Sequence, residues 1–140
     1  IRDCLQSDTL SMTVTVRSPE QDRVMISGDQ LEFFQLVLNL LLNAQQAGAS
    51  EATVEVARGQ KGQEVLVLVS DNGPGIPEEQ QRMLFQPLMT TKRQGLGVGL
   101  FQCRQIVERW GGSIRIRSMV GQGTCVFMSF PGVPVSELPL

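Results

Sequence analysis

Histidine is missing from all 140 residues. Its absence rules out a Ser-His-Asp triad, a histidine-ligated metal and any phosphorylation of a histidine within the chain. Cysteine is scarce: Cys4, Cys103 and Cys125 are scattered and form no C-x-x-C pair, so they read as reduced, inert thiols. Charge of one sign is lacking too, with 12 basic residues against 14 acidic ones and a net of -2. A chain without a strong field is a poor match for a polyanion, so no nucleic acid partner is expected. No apolar run approaches the roughly 20 residues that cross a bilayer, and the opening IRDCLQSDTL has neither the basic nor the apolar region of a signal peptide. The expectation is a soluble, cytoplasmic domain. Ile1 in place of an initiator methionine suggests a piece of a longer protein, whose parent is either cytoplasmic or membrane-anchored.

What is present suffices for one core, since 140 residues and a 41% hydrophobic content suit a single domain. SMTVTVRS alternates, and RVMIS follows a Ser-Pro-Glu-Gln-Asp turn, a pattern that predicts an opening hairpin. A helix is predicted over 30–47, capped by Asp29 with Glu32 three residues on as an approximate capping box and Gly48 just past its end. Two strands follow, EATVEVARG and QEVLVLVSD; the second is nearly continuous in apolar residues and is expected at the centre of a sheet. A short helix over 77–84 is followed by a loop over 85–99, and a second long helix over 100–110 stops at Gly111-Gly112. SIRIRS and TCVFMSF make a final hairpin around Gly121-Gln-Gly123. The sum is an α+β fold, a two-layer sandwich of a mixed, mostly antiparallel sheet with helices on one face. Residues 1–9 read as a linker from a preceding domain, 10–131 as the folded unit and 132–140 as a tail.

Three local features carry chemistry. Asn39 and Asn43 interrupt LVLNLLLNA four residues apart, on one helical face. A buried amide without partners costs about 1–3 kcal/mol, so the pair either bonds to a neighbouring strand or loop or faces a ligand such as a hard cation. DNGPGI ends the apolar strand, where Asp71 can accept from an amino group and Gly73 and Gly75 allow close backbone approach; alone it is also an ordinary turn. QGLGVGL sets Gly95, Gly97 and Gly99 ahead of a helix, where backbone amides and the positive helix end can hold phosphate oxygens. It is neither a dinucleotide fingerprint nor a P-loop.

In this order the segments resemble the histidine kinase branch of the ATPase superfamily that also holds DNA gyrase, mismatch-repair ATPases and heat-shock chaperones. The resemblance runs over about residues 23 to 131. NLLLNA is similar to the family's asparagine box, DNGPGIP to the first glycine box, LFQPLMTTK to the phenylalanine box, GLGVGL to the second glycine box and GQGTCVF to the closing glycine-threonine motif. The resemblance implies a Bergerat-type sandwich binding ATP and Mg²⁺. It implies that Asn43 holds the metal, that Asp71 binds the adenine amino group, and that Gly73, Gly75 and Ile76 shape the adenine pocket, with Thr124 supporting Asp71 or a water. Gly95, Gly97 and Gly99, with the amides of Leu96, Val98 and Leu100, would wrap the phosphates. Lys92 is either a phosphate partner or a solvated lid lysine, and Phe85 anchors the lid or packs in the core. Asn39, Asn43 and Lys92 are the candidate catalytic side chains. The chain departs from the pattern at Gln45 and Gln46, where a basic residue is common, and at Met89, where an aromatic is common.

Asn39 stands where the hydrolytic relatives carry a water-activating glutamate, and an amide is no general base. The resemblance therefore implies a protein-histidine kinase domain rather than an ATP hydrolase, with a serine kinase of the anti-sigma type and a non-catalytic nucleotide-binding module as alternatives. The implied partners are a histidine-bearing dimerisation domain of the same parent and a downstream response regulator, the isolated domain being monomeric and the parent a homodimer.

Overall fold

In the computed structural model, which describes residues 10–18, 26–59, 63–84 and 96–132, the apolar periods resolve into five strands and three helices among the described residues. Helix α1 (Gln30–Gln46) buries Leu36, Val37, Leu40, Leu41 and Ala44, a stripe with the 3.6-residue period. Asp29 caps it: its Oδ1 accepts from the Leu31 N–H at 2.8 Å. Strands β1 (Thr13–Arg17), β2 (Glu51–Arg58), β3 (Val65–Asp71), β4 (Ser113–Met119) and β5 (Gly123–Phe130) form one sheet in the order β1-β2-β3-β5-β4. Only the β1–β2 pair in this sheet is parallel. The near-continuous apolar strand is central, as its sequence implies: Val65, Val67 and Val69 are buried on the inner face, while Leu66 and Leu68 on the other side are half-buried. Helices α1 and α3 (Leu96–Arg109) pack on each other over the inner face, where Leu100, Cys103 and Val107 meet a core that includes Val126, Met128 and Phe130. Each such side chain removed from water contributes about 1.5–3 kcal/mol. Helix α2 (Glu78–Gln81) is a single turn leading to buried Leu84, shorter than the 77–84 helix predicted. No helix among the described residues is long and apolar enough to cross a membrane.

Two expectations are corrected, and a third falls largely outside the described residues. The opening hairpin would need residues 23–25, which lie outside them; among the described residues β1 pairs in parallel with β2, and Ile26 bridges to Gly132. A strand followed by a helix that covers the sheet returns as a parallel neighbour, and α1 is that crossover. Of the expected tail, residues 133–140 lie outside the described residues. Glu32 does not close a capping box. Its carboxylate accepts from Arg109 at 2.5 Å and from the Trp110 indole N–H at 2.8 Å, tying the start of α1 to the end of α3. Finally, α3 begins at Leu96 rather than Leu100, so Gly97 and Gly99 lie inside its first turn instead of in a loop ahead of it.

The Glu32 contact sits on an aromatic cluster in which Phe33 stacks on Trp110 with ring centroids 6.2 Å apart and Phe130 meets both rings at angles. Arg109 is mostly exposed and adds little; the indole N–H is half-buried and would lose its acceptor. Glu32→Ala is expected to cost about 1–2 kcal/mol. A urea titration checks this, the midpoint falling while the slope stays constant.

Candidate functional site

The end of β3, the second half of α1 and the start of α3 converge on one cavity. Its polar wall is Asn43, Asp71 and Thr124, and its apolar wall includes Leu40, Ala44, Ile76, Leu100, Ile116 and Val126, with Pro74 and Gly75 at the turn. Asn43, Asp71, Gly75, Ile76, Leu100 and Thr124 therefore meet as the sequence reading implied. Asp71 closes β3 opposite Ala52 of β2 and Thr124 of β5. Burial raises the pKa of its carboxyl above the ordinary value, while hydrogen bonds from the backbone amides of Gly73 and Thr124 hold it back. The Gly73 N–H donates to Asp71 Oδ1 at 2.8 Å, which places Gly73 beside the cavity as a carboxylate donor.

The turn after Asp71 is held from both sides. Asn72 Oδ1 accepts from the N–H groups of Ser50 and Glu51 at 2.9 and 3.0 Å, and its Nδ2 donates to Ser50 Oγ at 3.0 Å, pinning the turn to the start of β2. On the β4–β5 side Ile76 N–H donates to Ser118 Oγ at 2.8 Å, and Gln81 Nε2 donates to the carbonyls of Ile76 and Ser118 at 2.6 and 3.1 Å. Gly75 has φ +80°, and a Cβ there would fall 2.2 Å from the Met119 carbonyl oxygen, so the turn requires glycine on both counts. The sequence reading missed Asn72, Gln81 and Ser118. The Asn-Gly pair is a turn signal that could have found Asn72. Ser118 and Gln81 act on partners far along the chain, and no local pattern marks them.

Asn43 is the most telling side chain. Its Nδ2 is buried and has no hydrogen-bond partner among the described residues. Gly99 of α3 lies against it, so close that a Cβ at position 99 would stand 3.3 Å from Nδ2. The first-turn amides of α3, residues 96–98, have no acceptor within the helix, and the helix's positive end lies beside the Asn43 amide at Gly99. The expected loop of Leu96, Gly97, Val98 and Gly99 thus becomes a helix start, which leaves the amides of Leu96 and Val98 as donors but takes that of Leu100, expected with them, into the helix's own bonding.

Asn39 lies elsewhere. It lines a groove between α1 and α3 with Gln35, Gln102 and Gln105. Gln45, one of the two residues standing where a basic group is common, has its Oε1 engaged by the N–H and hydroxyl of Ser11 at 2.7 and 3.2 Å. Phe85, Lys92 and Gly95 lie outside the described residues. A roomier cavity of about 290 Å³ is lined by Phe33, Trp110, Val56, Val65 and Val67, but its one acid, Asp29, is occupied in capping α1. Cys103 is buried with its thiol pushed up to about 12, as expected of an inert thiol. The described residues hold no cluster of three or more His, Cys, Asp or Glu that could bind a metal.

The family model described as "Histidine kinase-, DNA gyrase B-, and HSP90-like ATPase" matches residues 28–134. The adaptive-response sensory kinase SasA of Prochlorococcus marinus is 38% identical over 112 residues, covering 76% of this chain and 29% of SasA. The sensor histidine kinase ZraS of Escherichia coli K12 is 34% identical over 128 residues, covering 91% of this chain and 28% of ZraS. The chain thus spans less than a third of the length of these relatives. The solved catalytic domain of the histidine kinase ThkA superposes with a TM-score of 0.68 at 29% identity, over 86% of this chain and 79% of that one. A match over most of the sequence, on a chain that superposes on a solved member of the family, establishes that the chain belongs to the histidine kinase-, DNA gyrase B- and HSP90-like ATPase family.

Proposed function

We propose that this domain binds ATP with Mg²⁺ and is the catalytic half of a protein-histidine kinase, passing the γ-phosphate to a histidine on a separate domain of its parent. The observation that carries the reading is the convergence on one cavity of the Asp71 carboxylate and of an Asn43 amide whose Nδ2 has no partner among the described residues, with the first turn of α3 against that amide at Gly99. Asp71 accepts from the amino group of an adenine ring lying between apolar walls. The amides of residues 96–98 face the phosphates. Mg²⁺ suits the donor set: it takes one or two protein ligands and completes its shell with waters and phosphate oxygens, so the Asn43 carboxamide oxygen is enough to hold it. When bound, the ion supplies charge neutralisation for the departing phosphoryl group.

No acid stands one turn before Asn43, since that position is Asn39. This favours transfer over hydrolysis. A neutral imidazole brings its own lone pair and requires alignment rather than a base. The acceptor comes from outside, because the chain has no histidine. We assign it to a helical dimerisation domain of a homodimeric parent, with a response regulator downstream.

The test compares the chain alone with a longer chain carrying that dimerisation domain, each incubated with labelled ATP. The chain alone should bind nucleotide without gaining label, and the longer chain should gain an acid-labile, alkali-stable label. Acid-stable, alkali-labile label would identify a serine or threonine kinase instead. A pH series adds a check on Asp71, which accepts most strongly from the amine when ionised. Because burial raises its pKa, affinity should start to weaken at a pH above the ordinary carboxylate range as the solution is acidified, and Asp71→Asn should flatten that dependence. The sign for the empty fold is opposite: ionised Asp71 costs stability at neutral pH, and the cost disappears as pH falls through the raised pKa.

A further inference from the structure

Ser118 lies on the inner register of β4 with Ile114 and Ile116, and its one hydroxyl meets three groups. It accepts from the Ile76 N–H at 2.8 Å, lies 3.0 Å from the Gly123 carbonyl oxygen and 2.7 Å from Thr124 Oγ1. A serine hydroxyl carries a single proton and two lone pairs. The Gly123 carbonyl can only accept. The one assignment that satisfies all three contacts sends the Ser118 proton to Gly123 and has the Thr124 hydroxyl donate to Ser118.

The consequence falls on Thr124, which lines the same cavity as Asp71. With its proton committed to Ser118, Thr124 offers the cavity only lone pairs. Ionised Asp71 likewise offers only lone pairs. The polar wall is then acceptor-only on both sides of the β3–β5 pair, and a ligand edge placed there must donate to both, as the two hydrogens of an exocyclic amine can and the single N1 proton beside a 6-oxo acceptor cannot.

We propose that Ser118 is a specificity-determining positioning residue: by holding the Thr124 proton it makes the cavity take a 6-amino purine nucleotide and refuse a 6-oxo one. The inference rests on the nucleotide reading above and adds to it the group that sets the base preference. Asp71 alone would leave a rotatable threonine hydroxyl free to turn and donate to a 6-oxo group. Ser118 removes that option without touching the base.

The experiment titrates the chain with ADP and with inosine diphosphate, which carries a 6-oxo group and an N1 proton in place of the amine, both with Mg²⁺. Wild type should prefer ADP. Ser118→Ala frees the Thr124 hydroxyl, and the ADP preference should fall about tenfold, the size of one mismatched hydrogen bond. Ser118→Thr keeps the hydroxyl and should restore the preference. In a Thr124→Val background Ser118→Ala should leave the ratio unchanged, because the group through which it acts is gone. An equal loss for both nucleotides in Ser118→Ala, as a merely loosened turn would give, overturns the proposal; so does a ratio change that persists in the valine background. Thr124→Val alone decides the matter if Ser118→Ala does not fold. Losing an acceptor lowers the ADP preference as proposed, whereas losing a donor raises it and refutes the assignment. Wild type binding neither nucleotide would sink the nucleotide reading itself, a result distinct from normal binding with an unaltered ratio.

Discussion

Asp71→Ala is expected to lower ADP affinity about 100-fold, the effect of removing a charged, half-buried acceptor from an apolar cavity. The carboxylate is positioned before any ligand arrives, by the amides of Gly73 and Thr124. The ligand therefore gains the hydrogen bond without ordering a mobile group. Alanine leaves those two donors without their acceptor, so a small drop in melting temperature should accompany the loss. Calorimetry at neutral pH separates the two effects, because the fold is judged by the melting curve and the site by the titration. Affinity within a factor of about three of wild type, less than a weak hydrogen bond contributes, would remove Asp71 from the base-binding role.

Asn43→Ala should have a larger effect on turnover than on binding. In the longer chain, transfer to histidine is expected to fall at least about 1,000-fold, while ADP affinity falls about tenfold, since charge stabilisation counts most as the bond breaks. The empty protein should behave in the opposite way. Asn43 Nδ2 has no partner among the described residues, so deleting the amide removes a desolvated group and offsets part of the packing lost. The variant should therefore melt close to wild type despite losing transfer. Rapid single-turnover phosphorylation by Asn43→Ala would disprove the metal assignment.

The parts of the fold legible in the sequence were those whose signal is local. The stripe from Leu36 to Ala44 and the apolar run of β3 each declare a period within one element, and Gly121-Gln-Gly123 marks its own hairpin. The partner of β1 was not legible, because TVTVR alternates equally well beside any strand and α1 decides which one it meets. Glu32 fitted a capping box by spacing, yet its partners stand at the far end of α3. The glycines at 97 and 99 argued for a loop by propensity; the first helical turn tolerates them, and at 99 a Cβ would stand 3.3 Å from Asn43 Nδ2, so that a side chain there would press on Asn43. Within the site, the Asn43 and Asp71 placements followed from motifs. Asn39 did not follow its partner: four residues along a helix advance about 6 Å and turn about 40° past a full circle, enough to move a side chain from the cavity into the α1–α3 groove. The Ser118 network was out of reach, since it depends on which strands lie side by side.

Asp71 sits in register with Ala52 of the preceding strand on one side and with Thr124 of β5, remote in sequence, on the other, so the three become neighbours only when the β3–β5 pairing has formed. A partly folded chain missing either edge has no base pocket to offer, so nucleotide can bind only after the slowest, most non-local pairings have formed. Occupancy then acts as a selective brace on the whole sheet. Amides deep in β3 and β5, which exchange only through global opening, should be protected by added nucleotide to the same extent as the turn that touches it, in proportion to the logarithm of its concentration.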